Sequence, residues 1–261
     1  MGSVNISPIG GMMQAAVVSE QGRRRFMEDA YFLDMDFAGK GWVFGGVYDG
    51  HSGYEAADYA ARHLHQRFLD RLEKGEDPRA AFERAYEAIS AELAHQPSGT
   101  TAVAFLLRGS ELTVSNVGDS RALLVGRHRV VQLTEDHRLD NPDERERVIQ
   151  MGAEIDYPYV MRGLNGLMPT RSLGDPHFED VGIISMPFIA QCRVHEREDI
   201  CLLVACDGLF DVMSNEEAAD MARKHPDADE LVHVLKQEAL DVRRGMDNLT
   251  LLALALTSES E

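Results

Sequence analysis

The sequence predicts a single α+β domain built on antiparallel sheets. Strand-like segments follow one another in groups, as across residues 100–133, and helical patterns come in pairs. This order favours an antiparallel architecture over a repeated strand–helix alternation. The 261 residues, 44% of them hydrophobic, suffice for one sizeable core, and no internal repeat or linker divides the chain. We expect the domain to span residues 14–257, after a flexible N-terminal segment (1–13) and before a C-terminal tail (258–261).

Segments rich in Val, Phe, Leu and Thr predict the strands. They lie near residues 14–19, 30–35, 42–48, 100–107, 111–117, 120–126, 129–133, 200–206 and 249–256. Helical periodicity predicts helices near residues 53–73, 79–95, 142–151, 215–225 and 228–243. Three helices have clear start signals, namely Asp77-Pro78, Asn141-Pro142 and the Ser-x-x-Glu capping box that begins at Ser214.

The charge balance limits the partners of the protein. Its 44 acidic and 26 basic residues give a formal net charge of -18, which disfavours binding to nucleic acid or to anionic membranes. No apolar run is long enough to span a bilayer, and the first residues lack a signal-peptide pattern. We therefore expect a soluble, monomeric, intracellular protein of the cytoplasm or nucleus, with no nucleic-acid or membrane partner.

Two predicted strands end in an Asp-Gly pair, Asp49-Gly50 and Asp207-Gly208. Asp-Gly is a favoured hairpin turn between antiparallel strands. A hairpin requires a second strand directly after the pair, whereas helical patterns follow both pairs here. The two carboxylates therefore require a role other than a hairpin turn.

Further carboxylates lie at the edges of apolar strands, at Asp119, Asp247 and Glu28-Asp29. Taken singly, each is more simply interpreted as a turn or cap residue. If they converge in a place of low dielectric constant, they repel one another, and only a cation stabilises the arrangement. Oxygen ligands without paired His or Cys favour Mg²⁺ or Mn²⁺ over zinc.

A centre with two such ions, about 3.5 to 4 Å apart, activates a water and clamps a phosphoryl group for in-line displacement. Gly50 has no side chain, so its carbonyl can approach an ion closely. Protonation of the leaving group requires an acid, and His51 is the candidate, although it can instead cap the following helix. Arg24 is the candidate phosphate-binding residue, although it can instead be one of three solvated arginines.

An ordered series of motifs spans about residues 14–256. It consists of Arg24-x-x-x-Glu28-Asp29, Asp49-Gly50-His51-x-Gly53, Ser98-Gly99-Thr100-Thr101-Ala102, Gly118-Asp119-Ser120-Arg121, Asp136-His137, Arg171-Ser172-Leu173-Gly174-Asp175, Asp207-Gly208-x-x-Asp211 and Asp247-Asn248. The series resembles the metal-dependent protein serine/threonine phosphatases of the type 2C family. Each motif alone is weakly specific, but their order is highly specific.

The resemblance implies a β-sandwich flanked by pairs of helices, in α-β-β-α layers, with a metal centre at one end. It implies an enzyme that hydrolyses phosphoserine and phosphothreonine in phosphoprotein substrates. The implied mechanism is direct attack by a water that bridges two Mg²⁺ or Mn²⁺ ions.

Residue roles follow from the resemblance position by position. Asp49 bridges the two ions, Gly50 offers its carbonyl to one of them, and Asp207 and Asp247 bind the other. Glu28 and Asp29 hold waters of the metal centre, and Arg24 binds the substrate phosphate. His51 is the general acid. Asp119 and Asp211, together with Asp207, hold a weaker third ion.

The chain departs from the family pattern in two places. Leu139 stands where a proline usually follows the Asp136-His137 motif, and residues 167–170 replace a stretch similar to Leu-Ala-Val-Ser. The second departure lies beside residues 155–166, here called the flap, which borders the substrate groove in the family. We therefore expect the departures to affect the local turn and the substrate preference.

Other phosphatase classes fit the sequence poorly. No arginine stands six residues after any of the three cysteines, which excludes a cysteine phosphatase and leaves these residues as buried thiols. The Asp34-x-Asp36 pair lacks the Thr or Val that an aspartyl-phosphate phosphatase requires, and no P-loop motif is present. A non-catalytic binding module with an acidic docking face is the remaining alternative, and the complete ligand set argues against it.

Overall fold

The computed structural model describes residues 4–6 and 13–256. Its strands are β1 (Val4–Ile6), β2 (Met13–Glu20), β3 (Ala30–Phe37), β4 (Trp42–Tyr48), β5 (Gly50–His51), β6 (Gly99–Thr100), β7 (Ala102–Arg108), β8 (Glu111–Val117), β9 (Arg121–Gly126), β10 (Val130–Gln132), β11 (Glu154–Asp156), β12 (Tyr159–Arg162), β13 (Asn165–Leu167), β14 (Leu173–Gly174), β15 (Phe188–Arg193), β16 (Asp199–Ala205) and β17 (Leu249–Ala255). Its helices are α1 (Glu55–Glu73), α2 (Pro78–Glu92), α3 (Pro142–Gln150), α4 (Asp207–Phe210), α5 (Asn215–Lys224) and α6 (Ala228–Gln237).

Two antiparallel sheets pack face to face and confirm the predicted sandwich. The first sheet has the strand order β1-β2-β17-β16-β9-β10, and the second has the order β15-β8-β7-β4-β3. Leu202 and Val204 of β16 meet Val103 and Phe105 of β7 in the core between the sheets. Alternate residues on the same strands point to the outer faces, which helices cover. Because both faces are buried, these strands are almost continuously apolar in sequence.

Pairs of helices complete the α-β-β-α layers. Helices α1 and α2 cover the second sheet, where Phe68 and Phe82 pack with their ring centroids 4.2 Å apart. Helices α5 and α6 cover the first sheet. The predicted starts are present, since Asp77 and Asn141 cap α2 and α3 and the Ser214 capping box begins α5.

The structure adds elements that the sequence did not predict. The short strands β11 to β13 form a separate sheet across the flap, and β15 extends the second sheet. These segments are short and only partly buried, so they lack a strong hydrophobic pattern. The helix predicted over 228–243 ends as α-helix at Gln237 and continues as a π-helical turn, Glu238–Val242. Asp207 begins the short helix α4, which the sequence also did not predict.

The domain boundaries stay a prediction. Within the segment expected to be flexible, Val4–Ile6 form β1 and pair with β2 from Met13 to Ala15. Residues 1–3, 7–12 and 257–261, which include the C-terminal tail, lie outside the described residues. In the ranges that the structure covers, none of the helices has the length and apolar character needed to cross a bilayer.

The flap packs against helix α3 through a small apolar core. Leu139, at the position of the first family departure, is buried against Val148, Val160 and Leu167. A proline there would offer less apolar surface to this cluster, so the leucine has a packing role.

Glu144 of α3 is only 2% exposed and pairs with Arg171, which lies just before β14. Its carboxylate accepts hydrogen bonds from Arg171 Nη2 at 2.6 Å, Thr170 Oγ1 at 2.6 Å and Arg147 Nη2 at 2.5 Å. Burial by itself favours the neutral acid, but these hydrogen bonds outweigh burial and lower the pKa of Glu144 to about 2.

The substitution Glu144→Gln is expected to reduce the free energy of unfolding at neutral pH by about 3 kcal/mol, since it leaves two arginines without their buried partner. The folded-state pKa of Glu144 lies below its unfolded value of about 4.3, so its stabilisation is present above that pH and is lost as the pH falls towards 2. Denaturant unfolding at several pH values measures both effects.

The matched control is Glu146→Gln, on the exposed side of the same helix, which is expected to change stability by less than about 0.5 kcal/mol. A difference between wild type and Glu144→Gln that stays constant from neutral to acid pH would contradict this account of Glu144.

Candidate metal centre

The carboxylates predicted from strand ends meet at one end of the sandwich. Asp49 follows β4 in the second sheet, and Asp207 follows β16 in the first sheet. Asp247 lies just before β17, whose residue Leu251 pairs with Ala205 of β16. Because β16 and β17 are antiparallel neighbours, the end of one strand and the beginning of the next meet at the same edge.

These carboxylates are close enough to shift one another's titration. Burial raises the pKa of Asp49 well above its ordinary value, and the nearby charges of Asp207 and Asp29 raise it further. Burial likewise raises the pKa of Asp207, with added repulsion from Asp119 and Asp211. The acidic cluster is therefore unfavourable as a set of bare charges.

Asp29 offers the cluster an oxygen that no protein group pairs with. Burial raises the pKa of Asp29 to about 6, and its Oδ1 atom is buried without a hydrogen-bond partner. In the described residues, Asp29, Asp49 and Cys206 offer ligand atoms that lie within 4.8 Å of one another. An unpaired carboxylate oxygen among other carboxylates fits a divalent cation.

The thiol of Cys206 does not fit as a ligand. Burial raises the pKa of Cys206 well above its ordinary value, and the charge of Asp29 raises it further. The protonated thiol donates a weak hydrogen bond to Asp29 Oδ2, with the two atoms 3.4 Å apart. The donors that remain are oxygens, which favour Mg²⁺ or Mn²⁺.

The two Asp-Gly pairs are places where chain segments touch. A Cβ on Gly50 would lie 2.4 Å from the carbonyl oxygen of Glu28, and one on Gly208 would lie 1.9 Å from the carbonyl oxygen of Asn248. Any other residue would push these segments apart, because the atoms it meets are backbone. The glycines therefore let the acidic segments approach one another closely. They do not form hairpin turns, as the sequence indicated.

Asn248 holds the loop that carries Arg24 and Glu28. Its Nδ2 donates to the carbonyl oxygens of Gln21 at 2.7 Å and Phe26 at 3.0 Å, and its Oδ1 accepts from the Glu28 amide at 2.9 Å. The side chain of Glu28 turns to the Gly53 amide, with 2.6 Å between Oε1 and N. Arg24 is 56% exposed and contacts Asp247, so it lies at the rim of the cluster.

His51 is held beside the cluster by a small sheet, β14-β6-β5. In this sheet His51 of β5 pairs with Gly99 of β6, and Gly99 pairs on its other side with Gly174 of β14. Asp175 Oδ2 lies 2.7 Å from His51 Nε2 and accepts a hydrogen bond from Ser172 Oγ at 2.6 Å. Asp175 has a positive φ of 54°, a strained backbone that aims its side chain at the histidine.

Asp119 and Asp211, predicted to hold a third ion with Asp207, are bridged by an arginine. Arg138 reaches all three carboxylates with its guanidinium. The sequence interpretation assigned no role to Arg138, Asp175 or Asn248. Asp175 and Asn248 belong to motifs of the ordered series, whereas Arg138 follows the Asp136-His137 motif. No pattern in the sequence indicates which carboxylates Arg138 contacts.

Comparisons with known proteins agree with this architecture. The family model described as "Protein phosphatase 2C" matches residues 13–247. The chain is 32% identical over 247 residues to "Probable protein phosphatase 2C 45" of Oryza sativa subsp. japonica, covering 92% of this chain and 86% of the relative. It is 31% identical over 250 residues to "Protein phosphatase 2C homolog 1" of Schizosaccharomyces pombe, covering 90% and 70%.

Solved structures share the fold. The crystal structure of a serine-threonine phosphatase 2C from Toxoplasma gondii superposes with a TM-score of 0.82 at 21% identity, covering 97% of this chain and 99% of that one. A structure of a Caenorhabditis elegans sex determining protein gives a TM-score of 0.81 at 22% identity, covering 94% and 65%.

Asp49→Asn is expected to have opposite effects without and with a divalent ion. In the presence of a chelator it removes a buried charge, so the midpoint of thermal unfolding should rise by about 2–4 °C or more. With Mn²⁺ in excess it should abolish the stabilisation that the wild type gains from the ion. Calorimetry in both buffers measures the two effects.

Asp70→Asn, on the exposed side of α1, is the matched control and should change neither midpoint. A destabilised Asp49→Asn protein in chelator, or one that Mn²⁺ stabilises as much as the wild type, would count against a cation site at Asp49.

Proposed function

Since the chain belongs to the protein phosphatase 2C family of serine/threonine phosphatases, we propose that it hydrolyses phosphoserine and phosphothreonine by direct attack of water at a centre of two Mg²⁺ or Mn²⁺ ions. The protein is an enzyme, a phosphoprotein phosphatase, as the resemblance implies. The ions, their number and the residues that hold them form the proposal.

The observation that carries the proposal is the group of buried carboxylates from distant parts of the chain. Asp49 and Asp207 have strongly raised pKa values, caused first by burial and then by repulsion from neighbouring carboxylates. Asp29 has a buried oxygen without a partner. A buried site lined by this many carboxylates is suited to divalent cations.

Each predicted ligand has an assigned place in the centre. Asp49 would hold both ions, the carbonyl of Gly50 would help to hold one, and Asp207 and Asp247 would hold the other. When bound, two divalent ions would supply a water that is nucleophilic at neutral pH and would offset the charge of the phosphate dianion. Glu28 and Asp29 would accept hydrogen bonds from water molecules of this centre.

Arg24 is assigned to the substrate phosphate. Its guanidinium is half exposed at the rim of the carboxylate cluster and contacts Asp247, which supports a role for its donors in binding substrate. Two oxygens of a phosphate there can accept a charge-assisted, bidentate pair of hydrogen bonds from the arginine. The same contact limits the movement of Arg24, so less entropy is lost when substrate binds.

His51 is assigned to protonate the leaving oxygen of serine or threonine. Asp175 accepts from Nε2 and fixes the orientation of the ring, so Nδ1 is the nitrogen that gives up a proton. The hydroxyl of Ser172 fixes Asp175 in turn. In this arrangement Asp175 and Ser172 are positioning residues and His51 is the catalytic acid.

The proposed partners are phosphoproteins, which the protein meets as a monomer in the cytoplasm or nucleus. The formal net charge of -18 opposes non-specific approach of acidic substrates, so the bound cations and Arg24 supply the local attraction for phosphate.

Wild type is expected to release phosphate from a phosphothreonine peptide only with Mn²⁺ or Mg²⁺ present. Asp207→Asn should lower kcat/KM by at least about 100-fold, because a ligand is lost. Asp220→Asn, on the exposed side of α5, is the matched control and should retain activity. No turnover by wild type with any divalent ion would argue for a non-catalytic module instead.

His51→Gln should slow hydrolysis of a phosphothreonine peptide by about 100-fold and that of p-nitrophenyl phosphate much less, since p-nitrophenolate leaves without protonation. Steady-state rates on both substrates measure the difference. Equal losses on the two substrates would remove His51 from the role of acid.

A further inference from the structure

The place where the family resemblance implies a third cation already holds a positive side chain. Arg138 Nε lies 2.6 Å from Asp119 Oδ2, its Nη2 lies 2.9 Å from Asp207 Oδ2, and its Nη1 lies 2.9 Å from Asp211 Oδ1. Each guanidinium nitrogen therefore contacts a different carboxylate of the predicted third-ion group. These distances are those of strong, charge-assisted hydrogen bonds.

The backbone on both sides holds Arg138 in this place. The amide of His137 donates to the carbonyl oxygen of Gly118 at 3.0 Å, which fixes the chain beside the turn that carries Asp119. Leu139 on the other side is buried in the core under the flap. With its backbone fixed at two points, the arginine keeps its guanidinium among the carboxylates at a small entropic cost.

The carboxylates around Arg138 strongly favour the positively charged form of its side chain. Burial works against the charge, but carboxylates lie within hydrogen-bond distance of all three guanidinium nitrogens and compensate for it. Asp119 is only 3% exposed, so without a cation its charge would be poorly solvated. A divalent ion at the same point would lie within a few ångströms of the guanidinium, and the two cations would repel each other.

We infer that Arg138 takes the place of the third cation, so that the enzyme binds two divalent ions and uses its own guanidinium to neutralise Asp119, Asp207 and Asp211. The inference rests on the proposed function, because it presupposes that Asp207 also belongs to the two-ion centre. It replaces the weaker third ion that the resemblance implies.

A cavity beside Arg138 makes the inference testable by substitution. The cavity is lined by Arg138, Asp140, Tyr157, Met168 and Asp211 and has a volume of about 250 Å³. Since Arg138 and Asp211 line the cavity and the guanidinium also contacts Asp119 and Asp207, an ion can enter between the carboxylates once the guanidinium is removed. A shorter or neutral side chain at position 138 should therefore create a third site.

The experiment counts bound Mn²⁺ by equilibrium dialysis and by electron paramagnetic resonance at micromolar to millimolar Mn²⁺. Wild type should bind two ions, and Arg138→Gln should bind three. The variant's affinity for the third ion should be at least about tenfold higher than any affinity that wild type shows for a third ion. Arg138→Met, which removes the charge and all donors, should give the same extra ion and serves if the glutamine variant does not fold.

Arg129→Gln is the matched control. Arg129 pairs with buried Asp199 at 3.0 Å, at the opposite end of β16, so this variant also leaves a buried carboxylate unpaired but should still bind two ions. Equal counts in wild type and both Arg138 variants, whether two or three, would overturn the inference and leave the proposed function standing. No bound ion in wild type would overturn the proposed function itself.

Discussion

Mutual repulsion among buried carboxylates is the constraint on which this structure depends. Asp29, Asp49 and Asp207 gather where two sheets end, and burial is the main cause of their raised pKa values, to which repulsion from neighbouring carboxylates adds. Folding brings these groups together only because apolar packing over the rest of the sandwich is large enough to tolerate the repulsion. Positive charge at this end, from ions or from arginine, offsets the repulsion and makes the carboxylate cluster suitable for phosphate chemistry.

The surrounding residues can be understood from this constraint. Gly50 and Gly208 allow segments to approach that any side chain would hold apart. Asn248 ties the loop of Glu28 to the beginning of β17, and Asp175 fixes His51 from the small sheet. Each of these devices fixes a polar group through backbone or buried partners, which keeps the site preorganised and lowers the reorganisation required during reaction.

Much of this arrangement could be predicted from the sequence, for particular physical reasons. The strands of the sandwich are buried on both faces, so their apolar runs are unmistakable, and helix starts such as Asp77-Pro78 have strong local signals. Apolar strands that end in Asp-Gly predicted where the carboxylates lie. The flap strands are three or four residues long and partly exposed, so periodicity could not reveal them. The contacts of Arg138 join residues 19 to 73 positions apart, and one sequence carries no signal for such pairings.

The central claim is that carboxylates far apart in the chain share divalent cations. Crystals grown with excess Mn²⁺ and measured at the manganese absorption edge test it most directly, because anomalous peaks locate the ions and their ligands together. The account predicts two peaks between Asp49, Asp207 and Asp247, with the guanidinium of Arg138 still bound to Asp119 and Asp211. No anomalous peak near these carboxylates would contradict it.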